Sequence, residues 1–189
     1  MKIKAKIKVK GIKPLIFNTF PISALSEKNS KTGEDEWKST VLMDSNRNLY
    51  VYGIYFTNSI RDGGKEIKVG KGNLSKKIAS TLEVLEDKIF LNNLKVPEQE
   101  NLLKLDSETV YLDVRSVVNP ATKGRNLRYR IATRPGWECA FTIMWDDYIA
   151  SKEQVKICVE NGGAFQGIGD GRRIGFGRYQ VLSFEVIKE

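Results

Sequence analysis

The first ten residues alternate without interruption: Lys2, Lys4, Lys6, Lys8 and Lys10 interleave with Ile3, Ala5, Ile7 and Val9. A period of two sends successive side chains to opposite faces of a pleat, so this segment specifies a strand with one buried face and one face of lysine. The chain must therefore build a sheet that is covered on one side. The lysine side reads as a solvated sheet face, and such a row also discourages edge-to-edge association.

The same period returns further along. Tyr129 and Ile131 alternate with Arg128 and Arg130, which fall on one side with Arg134. After a Pro135-Gly136 turn, Trp137, Cys139, Phe141, Ile143 and Trp145 mark the buried face of another strand, and Gln180, Leu182, Phe184 and Val186 mark the last one. Strand-like runs also cover Lys88 to Asn92 and Thr109 to Val118. Leu42-Met43 and the run Leu49 to Phe56 flank Asp44-Ser45-Asn46-Arg47-Asn48, a plausible hairpin turn.

Helical spacing occupies two places. Asn73 can cap a helix carrying Leu74, Ile78, Leu82 and Leu85, and Ser151 to Gln154 forms a capping box for a helix with Val155, Cys158 and Val159 on one side. That second helix is expected to stop at Asn161-Gly162-Gly163. The resulting order, strand, hairpin, helix, several strands, helix, strand, is that of an α+β chain with helices on one face of a mostly antiparallel sheet.

A length of 189 residues favours one domain, here with insertions near 21–40 and 61–72. Within the first insertion, Ser26 to Thr40 lacks any hydrophobic period. The second, Arg61 to Gly72, reads as flexible and basic, with Arg61, Lys65, Lys68 and Lys71 among four glycines. No run approaches the roughly 18 apolar residues of a membrane span, and the lysine-rich start lacks an apolar signal core, so a cytoplasmic location is expected. Cys139 and Cys158 sit in apolar periodic segments as buried free thiols, and with no histidine in the chain neither a zinc site nor another cofactor is expected.

Thirty-one Lys+Arg against 23 Asp+Glu give a net charge of +8 and favour an anionic partner, a phosphate backbone or an acidic membrane surface. Excess charge alone also serves solubility, so its placement decides. The segment Gly162 to Tyr179, GGAFQGIGDGRRIGFGRY, is the most specific feature: Gly167, Gly169, Gly171 and Gly175 accompany Arg172, Arg173 and Arg178. Glycine allows positive φ and close approach to a bulky anion, and guanidinium forks suit phosphate oxygens. A Walker loop is excluded because Phe176 and Gly177 stand where its lysine and hydroxyl would be, and a dinucleotide loop because a helix, not a strand, precedes it.

A glycine-rich loop of this composition after the last helix, GIGDGRRIGFGRYQV, leading into a terminal strand, resembles the signature of the RAMP superfamily of CRISPR-associated RNA-binding proteins and their relatives in phages and mobile elements. The resemblance implies a ferredoxin-like fold akin to RNA-recognition motifs, with Arg172, Arg173 and Arg178 around an RNA backbone. Nucleases of that group often use a histidine, absent here, so the likeness is to backbone subunits, which assemble along RNA and send a long loop between nucleotides. Ser26 to Thr40 or Arg61 to Gly72 are the segments suited to that part. Some such subunits cleave RNA with a loop aspartate and a metal, which draws attention to Asp35 and Asp44, although a lone carboxylate makes a poor metal site.

Supporting cations are Lys123, Arg125, Arg128, Arg130 and Arg134, expected to share one strand surface. Trp37 and Phe165, in loop-like contexts, are candidates for base stacking, whereas Trp137, Phe141 and Trp145 fit a core. Without histidine there is no Ser-His-Asp or Cys-His arrangement; Glu34-Asp35-Glu36 reads as a solvated charge run and Asp146-Asp147 as acids near a helix start. The expectation is a non-enzymatic protein that binds single-stranded RNA, or single-stranded DNA, as a homo-oligomer or as a subunit of a CRISPR-type complex, with no catalytic residues, no metal and no membrane partner. Two alternatives stay open: an interaction module that joins or mimics a CRISPR effector, and a metal-dependent endoribonuclease.

Overall fold

The computed structural model describes residues 1–20, 33, 35–98, 102, 109–119 and 121–187. In chain order the elements are β1 (Lys2–Gly11), β2 (Leu15–Ile16), α1 (Glu36–Thr40), β3 (Asn48–Tyr52), α2 (Gly53–Gly63), β4 (Lys68–Val69), β5 (Gly72–Asn73), α3 (Leu74–Thr81), β6 (Glu83–Val84), β7 (Lys88–Lys95), β8 (Val110–Val118), β9 (Arg125–Thr133), β10 (Glu138–Asp146), α4 (Lys152–Asn161) and β11 (Tyr179–Ile187). Most of the expected insertion near 21–40, residues 21–32 and 34, lies outside the described residues.

The alternating start forms β1, with Ala5, Ile7 and Val9 fully buried. It lies in an antiparallel sheet ordered β11-β1-β10-β6. With α2 and α3 before β6 and α4 before β11, the framework is β-α-β-β-α-β with its fourth and first strands adjacent, a ferredoxin-like arrangement within the expected α+β class. Helices cover one sheet face. Phe56 of α2 stacks on Phe141 with ring centroids 4.2 Å apart and meets Tyr179 at 5.5 Å, while Val155, Cys158 and Val159 bury one side of α4. Trp137, Phe141 and Trp145 are core residues as read from their period. On the open face Lys8 and Lys10 pair with Glu138 at 3.3 and 3.7 Å.

A second sheet, β2-β9-β8, joins the strand that follows β1 to the hairpin inserted between β6 and β10. Its β8–β9 hairpin runs in register from Val110↔Thr133 to Val118↔Arg125. The base of that hairpin is buried at Val110, Leu112, Ile131 and Ala132; its outer half exposes Val114, Val117, Val118 and Leu127. Among the described residues, no helix is long and apolar enough to cross a membrane.

Several local expectations are corrected. The run Leu49 to Phe56 is not one strand: β3 hands over to α2 at Gly53, where a Cβ would lie 2.1 Å from the Glu86 carbonyl oxygen, and Phe56, Ile60 and Gly63 then bury one helix side. Residues 61–72 are ordered, ending α2 and folding into the β4–β5 hairpin. Helix α3 stops at Thr81, leaving Leu85 exposed beyond it. In β11 a bulge places Lys8 opposite Ser183 but Val9 opposite Val181, so Leu182 is skipped and turns outward while Tyr179, Val181 and Phe184 face the core.

Both cysteines are free and buried. Burial pushes the Cys158 thiol up to about 12 and raises that of Cys139 as well. The thiolate is the reactive form, so near the usual thiol pKa of ~8.5 a disulfide reagent such as Ellman's is expected to modify neither cysteine in the folded protein and both in denaturant. Rapid stoichiometric labelling of the native chain would contradict this burial.

Candidate nucleic-acid interface

Helix α4 begins as its sequence specifies. The Ser151 hydroxyl accepts from the Gln154 backbone N–H at 3.3 Å, and Gln154 Oε1 accepts from the Ser151 N–H at 3.1 Å. The α-helix ends at Asn161 as expected, but Gly162 is still right-handed and one wide π-turn, Gly162–Gln166, follows. Packing explains the two glycines: a Cβ at Gly162 would meet the Ser59 carbonyl oxygen at 2.7 Å, and one at Gly163 the Tyr179 carbonyl oxygen at 2.3 Å. The chain first turns left-handed at Gly167, with φ of 70°.

From there the loop is tied down on both sides. The Asp170 N–H donates to the Ile16 carbonyl at 2.9 Å, Ile168 N–H to Gly177 at 3.0 Å, and Gly177 N–H to Pro14 at 2.7 Å. Gly169, Gly171, Gly175 and Gly177 all hold positive φ. Most of these glycines approach their own protein rather than open space; a Cβ on Gly177 would lie 1.8 Å from the Ile168 carbonyl oxygen, whereas at Gly175 nothing comes nearer than the Arg178 guanidinium carbon at 3.9 Å. The glycine run is thus chiefly a device for folding the loop, and it leaves a single short turn, Arg172–Ile174, standing out.

Gly177→Ala is therefore expected to cost more than ~2 kcal/mol, the left-handed penalty of ~1–2 kcal/mol plus the clash. Gly70→Ala, with φ of 58° but nothing within 4 Å, should cost only the former. Urea denaturation of both variants measures the difference, and equal losses would contradict a tightly packed loop.

Arg172 and Arg173 are exposed and form no ion pair with the described residues. They face the β8–β9 hairpin across a groove of about 740 Å³, whose lining also includes Arg115, Val117, Arg128 and Phe176. Arg115 lies over the Phe176 ring at 4.7 Å, and its Nε donates to Asp113 Oδ1 at 2.7 Å. The groove thus combines an aromatic face with exposed guanidinium groups, the chemistry that holds phosphates and planar bases.

The arginine row of β9 does not share one surface, which corrects the sequence expectation. Arg130 is buried and bridges Asp113 at 3.2 Å and Asp170 at 2.5 Å, joining the hairpin to the glycine-rich loop. Arg128 pairs with Glu36, whose other oxygen accepts from the Tyr129 N–H at 3.0 Å; Glu36 is therefore no solvated charge. Lys123 and Arg125 are exposed at the far end of the hairpin, and Arg134 lies over Tyr111 at 5.2 Å near its base. Carboxylates supplied by α1, β8 and the loop divide the row, and strand periodicity does not register such distant partners.

Arg178 is half-buried; its carbonyl accepts from the Ile12 and Lys13 N–H groups. Phe165 is exposed, but Trp37, expected in a loop, is buried in α1 within the core, so it is not available for stacking. Arg61 and Lys65 pair with Asp62, while Lys68 and Lys71 are exposed on β4–β5; none of the four lines the groove. Asp35 pairs with Lys38 at 2.8 Å. Asp44 closes its turn by accepting from the Asn48 side chain and from the Asn48 and Asn46 N–H groups, bonds that hold its carboxyl below the usual range. Asp146 ends β10 and accepts from the Tyr148 N–H, well before α4 begins. Among the described residues no cluster of acids or thiols is arranged to hold a metal.

Arg115, Phe176, Asp113 and Asp170 were not singled out from sequence. Asp113, Arg115 and Val117 do alternate along a readable strand, which was the available signal.

No family model matches the chain, and no curated protein matches it. Among solved structures, a chain in a cryo-EM structure of Type III-B Cmr-β bound to cognate target RNA matches with a TM-score of 0.58 and 12% identity, covering 99% of this chain and 61% of that one. At that identity the match shows a shared fold. This chain spans about three-fifths of the length of the chain it matches. The resemblance drawn from the glycine-rich segment is thereby met at the level of architecture.

Proposed function

We propose that the chain binds single-stranded RNA along the groove between the Arg172–Ile174 turn and the β8–β9 hairpin, as a non-enzymatic subunit of a CRISPR-type ribonucleoprotein. One observation carries this reading: the guanidinium groups of Arg172 and Arg173, without an ion pair among the described residues, face a groove that also offers the Phe176 ring and Arg115. The fold shared with a chain from an RNA-bound Cmr structure supports it. The projecting hairpin, with Lys123 and Arg125 near its tip, suits the part of a segment laid between nucleotides better than residues 61–72, which are folded back. Single-stranded DNA would satisfy the same phosphate contacts, and RNA is favoured by the likeness of fold.

Fluorescence anisotropy with a labelled single-stranded RNA tests this. Raising salt from about 50 to about 200 mM should weaken binding steeply, because log K falls by ~0.7 per neutralised phosphate for each unit of log salt. Absence of binding at low salt would refute the proposal.

A second reading rests on a different observation. Val114, Val117, Val118 and Leu127 expose apolar surface on the outer hairpin, as a protein-docking element of an effector complex would.

A further inference from the structure

A smaller cavity of about 190 Å³ adjoins the groove, sharing Ile16, Asn18, Gly169, Asp170 and Arg172 with it. Its other walls are largely apolar: Leu15, Phe17, Leu42, Val51 and Ile168 are all buried. Below the ~300–1,000 Å³ of sites for larger ligands, and well above the room one ordered water needs, it suits a single planar heterocycle.

Its polar lining is nearly all spoken for. Asn18 Nδ2 donates to Asp170 at 3.1 Å, and the Thr19 and Tyr55 hydroxyls lie 3.4 Å apart as mutual partners. Besides Arg172 at the mouth, Asn58 of α2 is the exception: it is half-buried, lines the cavity, and its carboxamide has no hydrogen-bond partner among the described residues. The amide is not sealed from solvent, so its donor and acceptor are both open to a ligand entering the cavity. A carboxamide offers a paired donor and acceptor, the complement of the N6 and N7 positions of adenine.

We propose that this cavity receives one adenine base turned out of the strand lying in the groove, with Asn58 pairing to its edge and Arg172, at the junction of the two spaces, holding the adjoining phosphate. Turning a base out of a single strand costs little, because no pairing must be broken. The inference rests on the groove being the RNA site and adds base selectivity to it.

Strands of about 12 nucleotides, within the span that one binding module covers, separate the two claims. One bidentate base contact should contribute about tenfold, the low end of its range, to the preference of the wild-type protein for oligoadenylate over an abasic ribose-phosphate strand of equal length, in addition to what stacking contributes. Asn58→Leu should lower that preference about tenfold while leaving the affinity for the abasic strand unchanged. Asn58→Asp, nearly identical in shape but unable to donate to N7, should lower the preference as well, although its added charge weakens binding of both strands; this guards against a folding defect in the leucine variant, and melting curves confirm that both are folded. A preference undiminished in both variants would overturn the base pocket while leaving the groove intact, and Phe165→Ala would then show whether stacking on Phe165 contributes to it. Failure of the wild-type protein to bind either strand would overturn the groove and the pocket together.

Discussion

Replacing Arg172 and Arg173 together by alanine is expected to weaken binding of single-stranded RNA by roughly 100-fold or more at low salt, each charged hydrogen bond lost contributing ~1.5 kcal/mol at the low end of its range. More telling is the salt dependence. With two phosphate contacts removed, the slope of log K against log salt should become shallower by about 1.4, twice the ~0.7 of a single-strand contact. Because both side chains are exposed and free of ion pairs with the described residues, the double variant should keep its folding stability. Unchanged affinity in a folded double variant would remove the turn from the interface and favour the reading in which the apolar hairpin docks a protein.

Arg130→Met should have the largest effect on stability. The guanidinium is buried between Asp113, itself buried, and the partly exposed Asp170, so its removal leaves the Asp113 carboxylate, with little access to water, only Arg115 as a charged partner. Breaking a buried pair in this way costs about 3–5 kcal/mol, and for a chain of this size each kcal/mol lowers the melting temperature by roughly 2–4 °C. Arg130→Met combined with Asp113→Leu should recover part of the loss, since exchanging both charges for apolar groups of similar volume is often neutral. The same bridge holds the glycine-rich loop against the hairpin, so Arg130→Met should also weaken RNA binding although Arg130 itself is buried. An unaltered melting temperature would show that the bridge does not join the two.

The framework was readable where a residue's neighbours in sequence decide its fate. Alternation in β1 and β10 marks a buried face directly, and the Ser151/Gln154 box fixes where α4 starts. Helix α2 was hidden because Leu49 to Phe56 is rich in aromatic and β-branched residues that favour extended backbone, and only the close approach of Glu86 to Gly53 reveals the change of direction. The candidate site was half legible. Glycine spacing correctly announced a left-handed, irregular loop, but not that the loop spends most of its glycines packing against Ile16, Ile168 and Phe176. The β9 arginines looked alike in sequence. What separates Arg130 and Arg128 from Arg125 is the arrival of Asp170, Asp113 and Glu36 from other elements, a consequence of topology that periodicity does not encode. Trp37 was misplaced for a related reason: a polar run of sequence surrounds a short helix whose one large apolar side chain reaches the core.

Photo-crosslinking of a single-stranded RNA carrying 4-thiouridine, with the adducts mapped by mass spectrometry, examines the location of the interface without relying on substitutions. The groove predicts adducts on the peptides that contain Arg115 to Val118 and Arg172 to Phe176, on opposite sides of one strand. Adducts confined to the lysine face of β1, with the groove peptides unmodified, would contradict it.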